Sequence, residues 1–61
     1  MIIWVLISYH HLLSGVKLPL FVHAFDTQAH CEGWLKQMQY EADAEKIDTT
    51  VVCEAAEVAT Q

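Results

Sequence analysis

Basic residues are scarce in this chain, three against eight acidic ones in 61 residues, for a formal net charge of -5. Proteins that grip phosphate backbones concentrate positive charge, so direct binding to nucleic acid is not expected and a basic partner suits better. The acids also keep a chain that is 54% hydrophobic in solution. A long apolar run is missing too. Residues 1–16 carry no Asp, Glu, Lys or Arg, yet Ser8, His10, His11 and Ser14 interrupt the stretch before it reaches the roughly 20 apolar residues of a spanning helix. No basic residue precedes it and no small-residue cleavage site follows, so neither a membrane role nor an export signal is expected.

Catalytic equipment is absent as well. No glycine-rich phosphate loop follows a strand, and Ser8, Ser14 and Thr27 have no arranged base and orienting acid. The chain is not expected to be an enzyme or to need a cofactor. There are no repeats, linkers or low-complexity tracts. A chain this short forms one domain and buries only about 60% of its unfolded surface, so a disulfide, a metal or a second chain would help it.

What is present is a change of period. Residues 2–25 alternate like two strands, and residues 28–42 switch to helical spacing. Leu13-Ser14-Gly15-Val16 reads as a two-residue hairpin turn with glycine at positive φ, which pairs residues whose numbers sum to 29. One face then carries Ile3, Val5, Ile7, Tyr9, His11 and Leu13 opposite Leu18, Leu20, Val22 and Ala24, and is expected to be the core. The other carries Trp4, Leu6, Ser8, His10 and Leu12 opposite Lys17, Pro19, Phe21, His23 and Phe25, and is expected to meet solvent or a partner. A three- or five-residue turn would shift this register.

Thr27, or failing it Asp26, is positioned to cap the helix. Cys31, Trp34, Leu35, Met38 and Ala42 form an apolar stripe directed at the sheet, with Glu32, Lys36, Gln37, Glu41 and Glu45 mainly on the other side. Ile47, Thr49, Val51 and Cys53 alternate with Asp48, Thr50, Val52 and Glu54 in a third strand. Pro19 consigns the second strand to an edge. The expected architecture is therefore α+β: a ββαβ domain over residues 1–54, its three-stranded antiparallel sheet in the order 2-1-3 with one helix on one face. Residues 55–61 are expected to fray as a tail.

This topology brings Cys31 and Cys53 to one edge of the domain, facing inward. A disulfide there would stabilise by roughly 3 kcal/mol, but the lack of an export signal favours two reduced core thiols; their separation is nothing like a Cys-x-x-Cys redox motif. His10 and His23 share the mixed face and would supply two ligands to a zinc site that wants three or four. The alternative is that the histidines simply fill a half-buried surface. His30, at the positive end of the helix dipole, is a poor general base.

The run Ser14-Gly15, nine residues, Phe25-Asp26-Thr27, three residues, Cys31, preceded by Ile3-Trp4-Val5-Leu6, resembles a family of short uncharacterised proteins of enterobacterial phages and prophages over residues 3–31. Val16 and Lys17 stand where these proteins often carry a cysteine, and Glu54-Ala55 follows Cys53 in place of a Cys-Tyr-Pro segment. The resemblance implies a phage setting in the cytoplasm of a bacterial host, and no activity.

The expected function is a small non-enzymatic protein-binding module, a phage-encoded inhibitor or modulator of a host complex such as a nuclease or defence system. Its contact surface would be Trp4, His10, Phe21, His23 and Phe25, because exposed aromatics of that kind mark interfaces. The same patch could instead pair with a second copy in a homodimer. In that case the partner site moves to Glu32, Glu41 and Glu45, whose carboxylates would mimic phosphates. The alternative function is a metal-binding or metal-stabilised protein using its surface histidines.

Overall fold

The computed structural model describes residues 1–59. Four elements follow in order: β1 (Ile2–His11), β2 (Lys17–Phe25), α1 (Gln28–Ala44) and β3 (Thr49–Glu57). The strands form one antiparallel sheet in the order β2-β1-β3, with α1 packed on one face. The ββαβ, α+β architecture is the one the change of period implies. β3 runs further than expected. Ala55, Ala56 and Glu57 pair with the start of β1, and the Val58 N–H donates to the Met1 carbonyl. Fraying therefore does not begin at Ala55; the last two positions of the expected tail, 60 and 61, lie outside the described residues.

Two one-residue offsets set the hairpin register. Gly15 adopts φ 89°, its N–H donates to the Leu12 carbonyl, and the Leu12 N–H donates to the Val16 carbonyl. The turn is thus a three-residue loop with glycine in the left-handed position, one residue longer than expected. Near the turn the partners sum to 28, as in His10 with Leu18 and His11 with Lys17. A bulge then leaves Leu20 unpaired, and from Ser8 with Phe21 to Trp4 with Phe25 the sum is 29. The extra residue in the loop and the extra residue in β2 cancel.

The helix begins as expected, with the Thr27 Oγ1 accepting from the His30 N–H at 3.2 Å. It ends on Glu45, followed by Lys46 at φ 57°. The Ile47 N–H reaches the Ala42 carbonyl and the Lys46 N–H the Asp43 carbonyl, which together make a Schellman motif with lysine in the place glycine usually takes.

The helix packs on the opposite face of the sheet from the one expected. The core is Leu6, Cys31 and Val51, with Trp4, Phe25, Leu35, Met38 and Cys53 against it. Leu6 pairs with His23 and Cys53, so all three belong to the covered face along with Trp4, Ser8 and Phe25. The face expected as core, Ile3, Val5, Ile7 and Tyr9 with Val22 and Ala24, turns away from α1. Both faces of β1 are apolar, so counting hydrophobic residues does not choose between them. The bulk of Trp4 and Phe25 and the bond from Cys31 to Cys53 fix the helix on their side.

Candidate functional site

α1 lies mainly over β1 and β3, which leaves the covered side of β2 open at its edge. There Phe21, His23 and Phe25, two residues apart on one strand, project side by side. Their rings form a row: Phe21 lies 6.3 Å from His23 in a stacked arrangement, and His23 lies 4.8 Å from Phe25 edge to face. From the helix, Trp34 stacks on Phe25 with centroids 6.5 Å apart, and the His30 ring lies tilted 5.9 Å from Phe25. Leu6 floors the cleft these rings enclose, which holds about 230 Å³. Its walls stay open to solvent, with Trp34 51% and Phe21 45% exposed.

Only part of the expected contact surface survives in this cleft. Phe21, His23 and Phe25 line it, but Trp4 and Phe25 also pack against the core, so Trp4 is unavailable to a partner. His10 lies half-buried opposite Leu18 and Thr49, four residues along β1 from the partner of His23, or about 13 Å away. That spacing separates His10 from the cleft. It also parts the two histidines proposed as zinc ligands, and no group of three or more His, Cys, Asp or Glu able to hold a metal occurs among the described residues. The missed residue is Trp34, placed at sequence level in the stripe that covers the sheet. At 100° per residue it falls about 60° to one side of the Cys31–Met38–Ala42 line, enough to put it over β2 rather than β1.

The acidic helix residues do not converge. Glu41 and Glu45 lie one turn apart beside Leu20, Met38 and Ile47, lining a second groove of about 300 Å³. Nine positions from Glu41, Glu32 points to the opposite side of the helix, where it accepts from Gln28 Nε2 at 3.2 Å. One face imitating phosphates is therefore not formed.

Cys31 and Cys53 are joined in a disulfide, in place of the two reduced thiols expected. The bond ties the first turn of α1 to β3 across 22 positions and forms the floor of the core beside Leu6. Among the described residues no helix is long and apolar enough to cross a membrane. Comparison with protein-family models, with characterised proteins and with solved structures finds no match for this chain.

Proposed function

We propose that this chain is a small non-enzymatic protein-binding module whose cleft of Phe21, His23, Phe25 and Trp34 receives an anchor side chain of a partner protein. The single observation that carries the reading is the aromatic row that α1 leaves uncovered at the edge of the sheet. Aromatic anchors set in a pocket dominate the energetics of protein interfaces. The ring faces and the net charge of -5 together favour a basic anchor, since a desolvated Lys or Arg over an aromatic ring gains about 2 kcal/mol.

The resemblance over residues 3–31 implies a phage setting and no activity; a phage-encoded inhibitor or modulator of a host complex, such as a nuclease or defence system, is the reading that joins this setting to the cleft. Action in the bacterial cytoplasm requires the Cys31–Cys53 bond to resist cellular thiols, and complete burial of Cys31 works in that direction.

Capture from host lysate with the native chain and with Phe21→Ser and Trp34→Ala tests the reading. Both positions are half exposed, so both variants keep the native circular dichroism. The proposal expects a partner retained by the native chain and lost by both folded variants. Equal capture by all three chains would remove the cleft from the interaction.

A further inference from the structure

Among the described residues no layer covers the face of the sheet turned away from α1, and it is the more aliphatic of the two. Ile3, Val5 and Ile7 of β1 lie between Val22 and Ala24 of β2 and Val52 and Ala56 of β3. Val22 is 59% exposed. We propose that this face is the interface of a twofold homodimer, in which two copies stack sheet on sheet with their helices outward. It is a different surface from the aromatic cleft, which the dimer leaves open.

The exposed area of the chain as a whole fits a second copy as the occupant. The chain exposes 4689 Å². A compact monomer of its 6.9 kDa mass exposes about 4,000 Å². The excess, roughly 700 Å², is close to the ~800 Å² each partner contributes to a stable interface. Charge agrees: the acids that strand alternation places on this face among the described residues, Glu54 and Asp48, stand on the edge strand or just before it, where their carboxylates are exposed at the rim. The helical acids Glu32, Glu41, Asp43 and Glu45 lie on the far side of the sheet, so two negatively charged copies can approach through their sheets.

The edges of the sheet oppose the other mode of self-association. β2 carries Pro19 and the bulge at Leu20, and part of the free edge of β3 is occupied by the side-chain amide of Gln39. Addition of strand to strand is hindered on both sides, whereas aligned packing of the two aliphatic faces about 10 Å apart is unobstructed. A twofold axis makes the contact self-complementary and closes it at two copies.

Sedimentation equilibrium of the full chain tests this directly. The native protein is expected at about twice the chain mass at micromolar concentration, with a urea midpoint that rises with protein concentration. Val22→Lys and Ile7→Lys place charge on the stacked face and are expected to raise the dissociation constant at least tenfold, Val22→Lys with unchanged circular dichroism because its site is already exposed. A native chain that sediments as a monomer up to 300 µM, or a folded Val22→Lys variant that dimerises as tightly as the native chain, would overturn the proposal. If Ile7→Lys unfolds, the concentration dependence of the native midpoint still decides: a midpoint independent of concentration rejects the dimer.

Discussion

Val51 donates its backbone N–H to the Oε1 of Gln39 at 2.9 Å, and the Nε2 of the same amide donates to the Thr49 carbonyl at 3.0 Å. The neighbouring Asp48 carbonyl bonds the His11 N–H on β1, so by strand alternation these two groups of β3 face the other way, along its free edge. One helical side chain therefore takes the place of a neighbouring strand over two residues.

Gln39→Ala leaves a half-buried strand N–H and a carbonyl without partners, and is expected to cost about 1–3 kcal/mol in urea unfolding. Gln39→Glu keeps the acceptor for Val51 but sets a carboxylate oxygen where Nε2 donates to the Thr49 carbonyl and, at 3.1 Å, to Asp43 Oδ1, so at neutral pH it is expected to cost at least as much as alanine. A glutamate variant as stable as the native chain would mean that the two bonds donated by Gln39 Nε2 contribute nothing.

At the other end of the helix, Lys46 holds a left-handed φ of 57° that disfavours any side chain with a Cβ. Lys46→Gly relieves roughly 1 kcal/mol of that strain in the folded chain while adding backbone freedom to the unfolded one. The expected net effect is a modest gain, a thermal midpoint higher by a few degrees with the helical signal unchanged. A lower midpoint would show that unfolded-state entropy outweighs the strain.

Trp4 and Phe21 lie on the same face of the sheet and differ in burial. Trp4 packs against the Leu6–Cys31–Val51 core, whereas Phe21 is 45% exposed at the cleft. Trp4→Ala is expected to lose about 2 kcal/mol or more, and Phe21→Ala less than about 1 kcal/mol. Equal losses in calorimetry would mean that the cleft is part of the folding core.

The period change, the Thr27 cap and the strand order were legible in the residues, because each rests on local spacing or on a strong breaker such as Pro19; the register from Trp4 to Ser8 matches only because the third loop residue and the bulge at Leu20, neither of them expected, cancel. The side of the sheet on which the helix lies was not. Ile3, Val5 and Ile7 alternate with Trp4 and Leu6, so polarity along β1 is nearly even, and only long-range contacts between Cys31 and Cys53 and between Gln39 and β3 break the tie. The cleft was half legible for the same reason. Phe21, His23 and Phe25 announce themselves by their spacing, but the role of Trp34 depends on how α1 sits across the sheet, which no local pattern encodes.

The Cys31–Cys53 bond closes a loop spanning 22 positions that contains most of α1. By chain entropy, closing a loop of this length removes about 3 kcal/mol of freedom from the unfolded state. For a domain whose largest fully buried side chains among the described residues are Leu6 and Cys31, that is a large share of the 5–15 kcal/mol typical of native proteins. Reduction, or the double variant Cys31→Ala and Cys53→Ala, is therefore expected to lower unfolding free energy by about 3 kcal/mol, with Cys31→Ala adding the cost of a small cavity beside Leu6. Two measurements check this on the purified chain. Thiol titration in denaturant without reductant should find no reactive groups, and urea midpoints with and without reductant should differ by the stated amount. Two reactive thiols in the chain as purified from bacterial cytoplasm would instead mean that cellular reductants open the bond, and that the helix is held to the sheet by Leu35, Met38 and Gln39 without it.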